Sequence, residues 1–274
     1  MVKKNSSHNT SRNKAELIRG GRAYFDLLKK LISEAWHVIH FQFYIFDPDQ
    51  TGLEIAGALA AAAKRGVSVY VLLDAYGSQG LTRPVIEQFQ SAGVHFRWFQ
   101  PLLKSRKFYL GRRLHHKVVV IDSHHSLVSG LNISDRYNDM PGQPAWLDWA
   151  LHGEGEVAHQ LEDICRRRMK LRPQATQPAV KTGSCEIGVR VNDWIGRRGE
   201  ITRAYLEMLR EAQSHVVIMT PYFMPGRYFR KALKDAAARG VKIQMILTRD
   251  SDVPGTKYAE RYMYDWLYRH NIEI

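Results

Sequence analysis

His115-His116-Lys117-Val118-Val119-Val120-Ile121-Asp122 runs through a short turn, Ser123 to Ser126, into Leu127-Val128-Ser129-Gly130-Leu131-Asn132. Four consecutive β-branched residues between a basic pair and an aspartate read as a buried strand. Side chains two apart on a strand face the same side, so His115 and Lys117 project together and His116 turns away as a structural residue. An imidazole beside an ammonium suits attack on a phosphodiester. The ring supplies a nucleophile or proton donor near neutral pH, and the cation neutralises phosphoryl oxygens as charge builds. Gly130 permits a close approach to the backbone. Asn132 can donate amide hydrogens to a phosphate oxygen.

Outward from this stretch, helical and strand patterns alternate. Tyr24–Ala35 carries apolar residues at helical spacing, and Val38–Phe46 reads as an aromatic, β-branched strand. Leu53–Arg65 is an alanine-rich helix stopped by Gly66. A strand at Val67–Leu73, a helix at Pro84–Ala92 and a strand at Val94–Phe99 follow. This rhythm predicts an α/β fold with parallel neighbours in the sheet. It restarts after Leu171–Gly183, a proline-containing linker. Helices are predicted at Thr202–Ala212 and Tyr228–Ala238, and strands at Val216–Tyr222 and Val241–Leu247. Arg65-Gly66-Val67 returns as Arg239-Gly240-Val241, offset by 174 residues, and Glu34-Ala35 returns as Glu211-Ala212, offset by 177. The expected organisation is a basic disordered tail over residues 1–15, a first lobe over 16–170, the linker over 171–183, and a second, incomplete lobe over 184–274. Both lobes are expected to be mixed sheets flanked by helices.

The net charge of +13 favours phosphate-rich partners: anionic lipid surfaces, nucleic acids or phosphorylated metabolites. The 2 cysteines, Cys165 and Cys185, form no CxxC pair, and no spacing among the 12 histidines fits a zinc motif. His124 and His125 read as exposed turn residues. The longest apolar run, Ile55–Ala63, is far short of the roughly 18–20 residues that span a bilayer, so any membrane contact is expected to be peripheral. A basic run, Lys104-Ser105-Arg106-Lys107 and Arg112-Arg113, precedes the His115 strand and would draw anionic substrate. Arg166-Arg167-Arg168 closes a helix, where it complements the dipole.

The stretch from His115 to Asn132 resembles the H-x-K-x4-D-x6-G-[SG]-x-N signature of the phospholipase D superfamily. Its surroundings are similar to bacterial cardiolipin synthases without transmembrane helices: YIFDPDQTG at Tyr44–Gly52, AKRGVSVYVLLDAYGS at Ala63–Ser78, SGLNISDRY at Ser129–Tyr137 and TPYFMPG at Thr220–Gly226. The resemblance implies phosphatidyl transfer between phospholipids through a phosphohistidine, without cofactor or metal, on the cytoplasmic side of the cell membrane. It makes His115 the nucleophile, Lys117 and Asn132 phosphate-binding groups, and Asp122 an architectural residue. Asp148 is the candidate to hydrogen-bond the far nitrogen of His115. Gly130, Arg112 and Arg113 are placed at the substrate. One departure stands out, because Ser129-Gly130 inverts the order in which the signature allows serine.

The repeat offset places a second motif histidine at about position 289–292, past Ile274. The expectation is therefore a two-motif enzyme whose second motif is absent here, inactive as 274 residues and prone to associate. The alternative is a symmetric dimer bringing two copies of His115 together. A nuclease of the same superfamily and a non-catalytic module binding anionic lipid are the competing functions, with nucleic acid the less favoured partner.

Overall fold

The computed structural model describes residues 9–100, 113–172, 180–192, 199–249, 253 and 255–274. The chain divides into two compact units, Met1–Val189 and Arg190–Ile274.

The first unit is built on one eight-stranded sheet. In chain order its elements are β1 (Asn9–Arg19), α1 (Arg22–Glu34), β2 (Val38–Phe43), α2 (Gln50–Lys64), β3 (Ser68–Asp74), α3 (Arg83–Ser91), β4 (His95–Phe99), β5 (Lys117–Ile121), β6 (His125–Ser129), β7 (Trp149–Gly155), α4 (Glu156–Met169) and β8 (Cys185–Gly188). The strand order is β4-β3-β2-β5-β6-β7-β1-β8. Strands β4, β3 and β2 are parallel, as a β-α-β rhythm requires, whereas every pairing from β2 to β8 is antiparallel. The expectation of parallel neighbours therefore holds for one side of the sheet. The short hairpin turn after β5 forces antiparallel pairing on the other.

Period-two alternation sorts the central strands between two faces. Ile39, Phe41 and Phe43 of β2 and Val119 and Ile121 of β5 pack with α1, α2 and α3. Val118 and Val120 of β5 pack with Val157, Ala158, Leu161 and Cys165 of α4. Strand β5 is thus buried on both faces, which explains its unbroken apolar run.

Two expected boundaries are corrected. Residues 9–15 belong to β1, so the predicted disordered tail of residues 1–15 does not extend that far; residues 1–8 lie outside the described set. Strand β1 pairs with β7 over seven residues and with β8 on its other side. Its side chains are mostly exposed, and the hydrogen-bond ladder, with the buried Asn13, holds it. Asn13 donates to the carbonyls of Thr10 (3.0 Å) and Cys185 (3.0 Å) and accepts from the Val157 amide (2.8 Å). The second unit was expected from residue 184. Strand β8 lies in the first sheet beside β1, and the division falls after Val189 instead. Of the predicted linker, residues 173–179 are outside the described set.

The second unit contains α5 (Glu200–Glu211), β9 (His215–Thr220), α6 (Arg227–Ala238), β10 (Lys242–Leu247), the short helices α7 (Thr256–Arg261) and α8 (Tyr264–Arg269), and β11 (Ile272–Glu273). Its described strands form a sheet of order β11-β10-β9, all parallel rather than mixed. Leu209, Leu233, Ala236, Ile243, Met245 and Leu267 make its core. Val217, Met219 and Ile246 are exposed.

The repeat seen in sequence is reproduced at the level of single contacts. The Arg65 guanidinium donates to the carbonyls of Ile32 and Ser33 at the end of α1. The Arg239 guanidinium does the same to Leu209 and Ala212 at the end of α5. Gly66 and Gly240, which stop α2 and α6, have φ of 96° and 89°, where a side chain would be strained.

Candidate active site at the head of the central strand

His115 and Lys117 sit where β5 begins, on the α1–α3 side of the sheet. His116, one residue out of phase, turns to the α4 side. Its Nδ1 lies 3.1 Å from Gln42 Oε1, and burial pushes its pKa down to about 4. The two histidines face opposite sides of the sheet, as strand parity predicts.

The His115 ring is exposed and stacks on Tyr44, with centroids 4.8 Å apart and planes at 20°. The Lys117 Nζ lies 5.6 Å from the centre of the same ring. A single tyrosine therefore orders both groups. Burial holds the Lys117 ammonium below its ordinary pKa, while Asp148 counters that shift. Burial, then the Lys117 charge, keep the His115 imidazole below the ordinary value of 6.5, against the opposing charge of Asp74. Both effects favour the neutral form of the ring.

The return strand β6 and the loop after it hold the remaining motif residues. Gly130 abuts Asp148, and a Cβ at this position would overlap the Asp148 carboxylate. The group that Gly130 admits is therefore a side chain of the protein itself. Asp148 accepts from the Trp149 amide at 2.7 Å and faces Lys117 electrostatically. Its expected hydrogen bond to His115 is not formed; burial raises its pKa, with Lys117 opposing. The carboxylate whose charge reaches His115 is Asp74, at the end of β3. Asp74 is fully buried and accepts from the amides of Tyr76, Gly77 and Leu114 at 3.0, 3.0 and 2.8 Å. The Arg113 Nη1 lies 4.0 Å from Asp74, with its guanidinium over the Tyr76 ring. Arg113 is thus held beside His115, and Arg112 lies outside the described residues, as does the run at 104–107.

Asn132 is buried. Its Oδ1 accepts from the Ile45 amide at 3.1 Å and its Nδ2 donates to the Tyr137 hydroxyl at 3.0 Å. One amide hydrogen remains beyond the Tyr137 bond. Ser129 turns its hydroxyl to the Leu131 carbonyl at 3.3 Å and also interacts with the buried Tyr24 hydroxyl of α1. The loop is fastened to the DPDQTG turn that starts α2. Asp49 accepts from Gly52, from the Ser134 hydroxyl and from the Asp135 amide, and Asp135 accepts from Thr51. Arg136 pairs with Asp47 at 2.9 Å.

Asp122 occupies the far end of β5. Its carboxylate accepts from three consecutive amides, Trp36, His37 and Val38, each at 2.8 Å. It holds the connection between α1 and β2 and takes no part in the cluster around His115.

Residues 28–163 and 205–274 match the family described as "Cardiolipin synthase, PLD-like domain". The chain belongs to that family. Cardiolipin synthase B of Shigella flexneri and of Escherichia coli K12 are each 33% identical to it over 273 residues, covering 96% of this chain. A cardiolipin synthase of Staphylococcus aureus is 30% identical over 276 residues. The chain spans 66% of the length of the first two relatives and 54% of the third. Among solved structures, a phosphatidylserine synthase of Haemophilus influenzae aligns with a TM-score of 0.68 at 17% identity, covering 93% of this chain and 68% of that one. A polyphosphate kinase of Porphyromonas gingivalis aligns at 0.57 and 16% identity, over 88% of this chain and 39% of that one. At such identities these likenesses concern the fold.

In this PLD-like frame, two site residues escaped the sequence reading. Tyr44 and Asp74 both stand within stretches that carried the resemblance, yet no role was attached to either. A charged residue closing a buried strand, as Asp74 closes β3, was the available signal.

One titration tests the electrostatics directly. His115, followed by NMR of its imidazole carbons, is expected to titrate below 6.5, and Lys117→Met to move it upward by removing a positive neighbour. Titration at or above 6.5 in the unmodified chain would show that burial and Lys117 do not control the ring.

Proposed function

We propose that this chain contributes His115, as the covalent nucleophile, to phosphatidyl transfer between phospholipids in the manner of a cardiolipin synthase. The observation that carries the reading is the placement of His115 and Lys117 on one face at the head of a buried strand, both against the Tyr44 ring. An imidazole nitrogen attacks the donor phosphorus, the bond to the leaving glycerol oxygen breaks, and that oxygen takes a proton from an acid. The acceptor hydroxyl then displaces the histidine, losing its own proton. Lys117 neutralises the phosphoryl oxygens in both steps, and the resemblance implies Asn132 as a further phosphate-binding group. The resemblance implies a second histidine as the acid. Membership in the family and the 33% identity to cardiolipin synthase B support the substrate class.

No helix among the described residues is long and apolar enough to cross a membrane. With a net charge of +13, attachment to the cytoplasmic side of the membrane through anionic lipid is proposed, releasable by salt.

The deciding experiment compares labelled phosphatidylglycerol in mixed micelles with labelled DNA. It uses this chain alone and this chain joined to a segment carrying a second H-x-K motif. Release of glycerol with formation of cardiolipin, and intact DNA, is the expected result for the joined chain. Cleavage of DNA without lipid turnover would replace this reading with that of a nuclease acting as a homodimer. Turnover by the unjoined chain with both His115 copies of a dimer required would remove the need for a second motif.

A further inference from the structure

The hairpin turn after β5 and the facing end of β7 bring together four side chains that the phosphoryl-transfer chemistry does not use. His124 lies in the turn, His125 opens β6, and His152 and Glu154 lie on β7. In the antiparallel register His125 stands opposite Glu154, and His152 stands opposite Leu127. His125, His152 and Glu154 therefore share one face of the sheet. No zinc spacing shows along the chain because His125 and His152 lie 27 residues apart and only strand pairing unites them.

The ring nitrogens and the carboxylate lie close enough for one ion to be shared among them. The His125 Nδ1 lies 3.2 Å from the His152 Nε2. Two nitrogen ligands at about 2.0–2.1 Å from a tetrahedral ion stand roughly 3.3 Å apart. The ligand atoms of His124, His125 and Glu154 lie within 4.8 Å of one another, a separation that small side-chain rotations can close. The Nδ1 of His124 is buried without a hydrogen-bond partner among the described residues. All four residues are at least partly buried. The negative charge of Glu16 reaches His152 and that of Glu34 reaches His125, so the surroundings favour a cation. The competing cation is Lys14, whose Nζ lies 3.4 Å from Glu154 and whose side chain is largely exposed.

We propose that His124, His125, His152 and Glu154 form a binding site for a zinc-class divalent ion, which fastens the β5–β6 turn to β7. Three imidazoles and one carboxylate match the donor preference of such an ion. The length of β5 separates this site from His115 by about 15 Å, so the ion is structural and stands apart from the transfer step.

The test uses the whole chain, freed of metal by dialysis against a chelator. Titration with zinc chloride is expected to show one saturable equivalent, and cobalt(II) to give the intense visible absorption of tetrahedral coordination. His125→Asn and His152→Asn should each weaken zinc binding at least tenfold, and the pair together should abolish it. His215→Asn, in the second unit, should leave binding unchanged. Saturating zinc should raise the melting temperature of the parent chain by about 5 °C and leave that of the double variant unmoved. If either asparagine variant fails to fold by circular dichroism, Glu154→Gln takes its place. Saturable binding retained by the double variant overturns the proposal. So does the absence of saturable binding below about 100 µM zinc, a weak affinity on any scale.

Discussion

His115→Ala is expected to lower phosphodiester turnover more than a hundredfold while the melting temperature stays within about 2 °C of the parent. The two halves of this expectation come from different features of the site. The ring is exposed and bordered by Tyr44 and by charges rather than by the core, so its removal leaves no cavity and no unpaired buried group. Yet burial, then Lys117, hold this imidazole below its ordinary pKa, and no other described histidine shares its side of β5 at this end of the sheet. Lys117→Met should cost a comparable factor for a different reason: the nucleophile survives, and the developing phosphoryl charge loses its counter-ion. The chain joined to a second H-x-K segment is the form to assay, with phosphatidylglycerol as donor. Retention of a large share of parental turnover by His115→Ala would end the assignment of the nucleophile. A large fall in melting temperature would move His115 from chemistry to structure.

What the sequence showed and what it hid divide along physical lines. The helices α1, α2 and α6 and the strands β2, β3 and β10 were legible because their apolar periodicity is local and strong. Strand β5 was legible because it is buried on both faces. The repeat was legible to the residue, and the structure adds that Arg65 and Arg239 reach the equivalent carbonyls of Ile32 and Leu209, 177 residues apart, at the ends of α1 and α5. Strand β1 was hidden because most of its side chains face solvent. Its register with β7 comes from backbone pairing, which leaves no hydrophobic pattern. Its partner β8 was hidden for the same reason, and with it the true end of the first unit. Within the site, the shared face of His115 and Lys117 could be read from strand parity alone, whereas Gly130, expected at the substrate, lies against Asp148. Tyr44 and Asp74 could not be placed this way, because their nearness to His115 depends on how the ends of β2 and β3 lie beside the head of β5. Asp148 shows the converse error. A carboxylate in the right stretch was assigned to the histidine, and the sheet delivers it to Gly130 and Lys117.

Asp122→Ala is expected to destabilise the first unit by about 4 kcal/mol, a fall of roughly 10 °C in its melting temperature. The carboxylate accepts from the amides of Trp36, His37 and Val38, three donors that leave α1 and enter β2 with no other acceptor provided by a ladder at that point. Hydrogen bonds to a charged acceptor contribute about 1.5–3 kcal/mol each and do not add fully when they share one group. The backbone adds to the loss. Asp122 and Ser123 have φ of 52° and 54°, and the His124 amide donates to the Ile121 carbonyl at 3.0 Å, which makes the β5–β6 connection a type I′ turn. Aspartate tolerates that left-handed conformation better than alanine does. Asp122→Asn keeps one acceptor oxygen and the turn preference, so it should fall between alanine and the parent. Because β5 separates Asp122 from His115, the alanine variant should retain measurable turnover at temperatures below its own melt, unlike His115→Ala. A melting temperature within about 2 °C of the parent would show that the three amides find other acceptors. Complete loss of turnover in a folded Asp122→Ala chain would place the residue in the transfer chemistry, where the geometry does not put it.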